Sequence, residues 1–212
     1  MNLNEIESIL ETRPPKSKSK RNVIGVGIND APFAVSGVFD GKTITHRAYR
    51  SWFQMLMRCY DQKYLAKKPS YKGSQACHLW TSFMGFLPWW KNNFREGFHL
   101  DKDLLVTGNK LYSPDTCVYV PPALNTFTAD NACVRGEYPI GVTWNKGMRK
   151  FVAEVNSREG RRLFLGSFKT PYEAYEAWLK AKLCIAESFK DTCDEIHPCL
   201  YSGLISKIKS MR

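Results

Sequence analysis

The side chains best suited to hydrolytic chemistry are gathered in residues 98–125, FHLDKDLLVTGNKLYSPDTCVYVPPALN. His99, Asp101 and Asp103 stand two residues apart, so in a strand they share one face while Lys102 lies on the other. An imidazole beside two carboxylates is the set of types used for proton transfer and for holding hard cations. The same alternation equally fits the polar, solvent side of a half-buried hairpin that does no chemistry.

The elements around these residues must position them. The alternation over 99–104 predicts a strand, Gly108, Asn109, Ser113, Pro114 and Asp115 a turn-rich excursion, and 117–120 a returning strand. Pro121 and Pro122 then start a short helix that ends near Asn125. Upstream, 4–12 predicts a helix with Ile6, Ile9 and Leu10 on one side, and RPPKSKSKR a basic linker that either touches phosphates or is simply solvated. VIGVGIN, AVSGVF and TIT predict a small β-meander. Tyr49, Trp52, Phe53, Leu56 and Tyr60 recur at helical spacing, as do Trp80, Phe83, Phe86 and Trp90, the second helix being kinked or interrupted near Pro88.

A hairpin followed by a helix is the architecture of ββα-metal nucleases, and the quoted residues resemble the HNH endonucleases of phages and mobile elements. The likeness rests on LDKD, GNKLYSP, DTCVYV and Asn125, and on the aromatic and cysteine spacing from Trp52 to Phe86, so it spans about 46–128. It implies that Asp101 is a metal ligand and that Asn125 closes the signature; in an active enzyme Asp101, with Asn125, His99 or Asp103, would hold Mg2+ or a similar divalent ion. At the position of the general base the family has His and this chain has Lys102. A lysine with its ordinary pKa of about 10.4 accepts no proton from water at neutral pH unless burial or like charge lowers that value by about three units, so His99 is the candidate replacement. Two functions follow from the resemblance: a divergent metal-dependent endonuclease, or a phage factor that kept the fold and lost the chemistry, a regulator or counter-defence protein binding DNA or a host protein. Cys59, Cys77 and Cys117 fall at family-like positions beside His78, and three thiolates with an imidazole would make a closed zinc site. The chain has no C-x-x-C pair, and free thiols packed as small hydrophobes fit as well.

Residues 138–189 form a separate pattern of three short strands and one amphipathic helix with Pro at its first turn. GV.W, KF.AEV, R.FLG.F and EAYEAW resemble the DNA-binding domain of the plant ethylene-response factors, the AP-two/ERF domain. Alternation turns Val142, Trp144, Phe151, Ala153, Val155, Leu163 and Leu165 toward the helix. The opposite face then carries Thr143, Asn145, Lys150, Glu154, Asn156, Arg162 and Phe164, a polar and basic surface of a shape that the DNA major groove admits. By resemblance Arg162 and Phe164 stand where the family sets an Arg and a Trp against DNA, with Lys150 and Glu154 on matching strand positions. Thr143 and Asn145 replace family arginines, so phosphate contact is expected ahead of base readout, and a merely solvated face remains the alternative.

The 212 residues, 43% hydrophobic, suffice for two small cores, and a net charge of +11 predicts a polyanionic partner, nucleic acid ahead of a membrane surface, or else only confers solubility; the two resemblances make that partner double-stranded DNA. The first residues, MNLNEIESILETR, lack the basic and apolar regions of a secretory leader, and seven Cys, an odd number, fit a reducing compartment, so a cytoplasmic protein is expected. The phage resemblance would make that the cytoplasm of a bacterial host. The expected fold is α+β: an N-terminal helix and basic linker (1–22), an HNH-like ββα-metal module with the meander (23–128), a three-stranded antiparallel sheet packed on one helix (138–189), and a tail (190–212) with a short helix and a basic end.

Overall fold

The computed structural model describes residues 1–15, 21–130 and 136–212, so the basic run at 13–21 and the linker at 128–137 fall partly outside the described residues. In chain order the elements are α1 (Leu3–Thr12), β1 (Arg21–Val23), β2 (Gly27–Asn29), β3 (Ser36–Phe39), β4 (Lys42–Thr45), α2 (Arg47–Tyr60), α3 (Gln62–Lys67), β5 (Gln75–Ala76) and α4 (Phe83–Asn93). They continue with β6 (His99–Asp101), β7 (Leu111–Tyr112), β8 (Val118–Val120), α5 (Pro122–Phe127), β9 (Val142–Asn145), β10 (Lys150–Asn156), β11 (Arg162–Phe168), α6 (Pro171–Glu187), α7 (Lys190–Ile196) and α8 (Leu200–Ser210). Two compact units result, Met1–Arg95 with Asn109–Cys117, and Glu96–Gly108 with Val118–Arg212. The module expected at 23–128 is thus divided between them, its hairpin strands belonging to the second unit and the excursion between those strands to the first.

In the first unit α1 begins with a capping box between Asn2 and Glu5 and buries Ile6 and Leu10 against Ala34 and Phe39. The expected meander is instead two separate two-stranded sheets, β1 with β2 and β3 with β4. The break falls at Asp30, whose carboxylate accepts from Ser82 Oγ (2.6 Å) and Met84 N (2.9 Å) at the start of α4 and so takes the chain out of strand pairing. Helix α2 buries Trp52, Met55, Leu56 and Cys59, and the Trp52 indole donates to the Trp80 carbonyl oxygen at 2.7 Å. Helix α4 runs through Pro88 without interruption. The proline forfeits one backbone bond, and the burial of Phe83, Phe86, Leu87 and Trp90 outweighs that loss. Strand β7 pairs in parallel with β5 and buries Tyr112, which accounts for the excursion belonging to this unit.

In the second unit β6 and β8 form a short antiparallel pair, His99 opposite Val120, Leu100 opposite Tyr119 and Asp101 opposite Val118. The strand expected to reach Leu104 stops at Asp101, because the carboxylate Oδ1 of Asp101 accepts from the backbone N–H of Asp103 and of Leu104, both at 2.8 Å, and turns the chain. Leu104, Val118, Val120, Leu124 and Phe127 share a core with Phe189, Cys193, Leu200, Leu204 and Ile208. The residues after 190, expected as a tail with one short helix, are therefore two packed helices. Gly203 of α8 lies so close to the hairpin that a Cβ there would stand 1.9 Å from the Leu104 carbonyl oxygen.

The three-stranded antiparallel sheet, ordered β11, β10, β9, packs on α6 as expected. Helix α6 starts with a capping box between Thr170 and Glu173 and Pro171 in its first turn. Strict alternation fails at one place: a bulge beside Ala153 and Glu154 shifts the register, with Gly166 at φ 137° opposite Ala153 and Phe168 opposite Phe151. The bulge lets both Leu165 and Phe168 join the cluster on α6, which a simple period of two would forbid. Trp144 and Leu163, expected to face the helix, stay 40% and 42% exposed. A helix about 10 Å wide covers only about two strands spaced about 4.8 Å apart. The central strand is sealed, with Ala153 at 0% and Val155 at 2%, and of the edge strands Val142 is covered while Trp144 and Leu163 are not.

Candidate nucleic-acid interface

The hairpin carries the first set of candidate residues. His99 is exposed at the start of β6, and Asn125 on α5 comes within 3.2 Å of its Nδ1. With the amide nitrogen as donor, Nδ1 accepts and the ring proton sits on Nε2. The structure thus brings together the candidate base and the candidate closing Asn.

The carboxylates are engaged otherwise. Asp101 is held by its two backbone donors, and burial, then the neighbouring Asp103 charge, push its carboxyl above the usual range. Asp103 accepts from Lys207 Nζ of α8 at 2.6 Å and lies 3.3 Å from Lys102 Nζ. Burial alone would raise the Asp103 carboxyl, but the Lys207 and Lys102 ammoniums outweigh it and keep it below the usual carboxylate range. Lys102 itself is only 6% exposed and stands as the cation of an ion pair, which is not the arrangement of a base waiting for a proton. Three of the four carboxylate oxygens of Asp101 and Asp103 therefore already face N–H donors, two of them cationic. A Mg2+ ion needs open oxygen ligands, and this donor set does not fit one as it is arranged.

The cysteines are likewise not assembled. Cys59 and Cys117 are buried and Cys77 is half-buried. Among the described residues no three His, Cys, Asp or Glu side chains converge as a metal site would require. Cys59 sits on the packed side of α2, as a small core hydrophobe does.

The second set of candidates lies on the outer face of β9, β10 and β11, where Thr143, Asn145, Lys150, Asn156, Arg162 and Phe164 are exposed and Glu154 is half-buried. The register places Lys150 beside Asn145, Glu154 beside Phe164 and Asn156 beside Arg162. Arg162 pairs with Glu154 (Nε to Oε2, 3.3 Å) while its side chain stays 70% exposed, so the carboxylate steers the guanidinium without covering it. Phe164 is 62% exposed, an aromatic ring with most of its surface in water. Asn145 also works locally, since its Oδ1 accepts from Met148 N at 2.9 Å and closes the β9–β10 turn.

Sequence reasoning missed two things here. Val152, on the same face between Lys150 and Glu154, is only 7% exposed and forms an apolar floor under the polar side chains, a position that alternation itself would have named. Both turns are basic as well: Lys146 and Arg149 in one, Arg158 and Arg161 in the other, all exposed. No family model, no curated protein and no solved structure matches this chain. Among the described residues no helix is long and apolar enough to cross a membrane.

Proposed function

We propose that this chain binds double-stranded DNA through the outer face of β9, β10 and β11, and that the hairpin at 99–125 is a scaffold and not a hydrolytic centre. The observation that carries the reading is a solvent-exposed ring, Phe164, set among Arg162, Lys150 and basic turns at both ends of a twisted sheet. Exposed cations neutralise phosphates, an exposed aromatic adds contact with sugars or thymine methyls, and a narrow ribbon of strands enters a major groove. The pairing of Lys102 and Lys207 with Asp103 supports the second half of the reading, because the charges that would hold a metal are spent on holding α8. Given the resemblance to phage HNH proteins, such a factor would act in a bacterial host's cytoplasm as a regulator or counter-defence protein, with a host protein as a further partner.

The test is duplex binding by the full chain across a salt series. Arg162→Ala should weaken binding and reduce the salt slope by about one, whereas Phe164→Ala should weaken it and leave the slope unchanged. Full affinity in the folded double variant would mean that the wrong face has been assigned. A metal-dependent nicking activity is the second reading, favoured by the His99 and Asn125 contact. It requires supercoiled plasmid to be nicked with Mg2+ or Mn2+ and not with EDTA, and to survive uncut with Asp101→Asn.

A further inference from the structure

The second unit also holds a pocket of about 430 Å3 at the side of the sheet. That volume lies within the roughly 300–1,000 Å3 of sites that take small molecules. One wall belongs to the outer sheet face, with Glu154, Asn156 and Arg162, and another is apolar, with Phe127 and Trp178. Lys182 of α6 lines it at 7% exposure. Its Nζ donates to the Phe127 carbonyl oxygen at 2.8 Å and lies 3.5 Å from the centroid of the Phe127 ring, and no carboxylate pairs with it among the described residues. Burial lowers its pKa to about 8, the mark of an ammonium that lacks a counter-charge.

A cation buried without a carboxylate partner, with a guanidinium on the adjoining wall and an apolar surface continued by Pro122, Ala123 and Ile140, suits a ligand that is anionic at one end and flat and apolar at the other. We propose that this pocket binds a nucleotide, its phosphate drawn by Lys182 and Arg162 and its base lying against the apolar wall. The nucleotide has two possible sources, a free mononucleotide or a residue unstacked from a strand on the sheet. Glu154, Asn156 and Arg162 belong to both pocket and face, so a strand on the face would meet residues that line the pocket. The second source rests on the proposed duplex binding, and the first does not.

The experiment uses the full chain and two probes: thymidine 5′-monophosphate, and an end-labelled duplex with a central 2-aminopurine either paired or opposite an abasic site. Anisotropy reports binding to the sheet, and 2-aminopurine fluorescence reports entry of the base. Unstacking costs least where the base has no partner, so the abasic duplex should bind about tenfold tighter and change the fluorescence. Thr126→Phe, a plug on the exposed side of α5, should abolish that preference, the fluorescence change and mononucleotide binding, with paired-duplex affinity unchanged. Lys182→Met should weaken the mononucleotide at least tenfold. If Thr126→Phe lowers the melting temperature, Ala123→Phe supplies the same plug one turn earlier. Duplex binding with neither a fluorescence response nor saturable mononucleotide binding would overturn the pocket and leave the sheet reading standing. Mononucleotide binding that the plugs abolish, without any duplex binding, would do the reverse. A response indifferent to both plugs would also overturn the pocket, because the ligand would then sit elsewhere.

Discussion

Asp103→Asn distinguishes a carboxylate that ties the fold together from one that awaits a metal, because the two roles predict opposite signs. Asp103 follows β6 and holds Lys207 of α8 at 2.6 Å and Lys102 at 3.3 Å. The amide keeps the shape and removes the charge, leaving Lys102, at 6% exposure, beside a neutral group. Removing one member of a fully buried ion pair costs about 3–5 kcal/mol. The Asp103 side chain is 30% exposed, so water replaces part of the interaction, and about 2 kcal/mol is the figure to expect. Relief of the Asp103 charge on Asp101 works the other way, but Asp101 keeps its two backbone donors and that gain is smaller. Urea unfolding at neutral pH in EDTA measures the net loss, and a cycle with Lys207→Met should give a coupling of about 1 kcal/mol. The pH dependence follows from the lowered Asp103 pKa. Its contribution is present above the unfolded carboxylate value of about 3.9 and vanishes as pH falls through the lower folded value, so the wild-type and Asp103→Asn curves should converge in acid. Two carboxylates held ready for a cation would repel each other in EDTA, and relieving that repulsion would stabilise the protein. Equal or greater stability of Asp103→Asn under those conditions would refute the scaffold reading.

Gly203→Ala should lower stability by about 1–2 kcal/mol in the same unfolding assay, although alanine favours a helix by about 1 kcal/mol, because its Cβ would meet the Leu104 carbonyl oxygen at 1.9 Å. Lys182 has a folded pKa of about 8 against 10.5 for its ordinary value, so the unfolded chain binds more protons between those limits and stability should rise with pH across them, by about 3 kcal/mol in all. Lys182→Met should flatten that rise, and an unchanged profile would show the group to be solvated. Leu165→Ala should cost about 2 kcal/mol, since Leu165 joins both clusters that bind the sheet to α6, and a loss below about 0.5 kcal/mol would mean that the bulge does not aim it inward.

What lies within a few residues was legible in the sequence. The Thr170, Pro171 and Glu173 start of α6, the apolar spacing of α2 and the alternation of β10 each fix a local hydrogen-bond pattern, and the sheet on one helix follows from them. The outer face could be named for the same reason, Arg162 and Phe164 being set by a period of two. Alternation also suggested that His99, Asp101 and Asp103 act together, and there it was not enough. Asp101 turned back on its own backbone after three strand residues, and Asp103 took a lysine 104 residues further on. No local signal names that partner, because an ion pair depends on which elements a shared core brings side by side. The cores formed by Leu104 with Leu204, and by Leu165 with α6 across a one-residue bulge, were decided the same way. Periodicity selects which side of an element is apolar, and only the packing of distant elements selects what that side, and the charges along its rim, will meet.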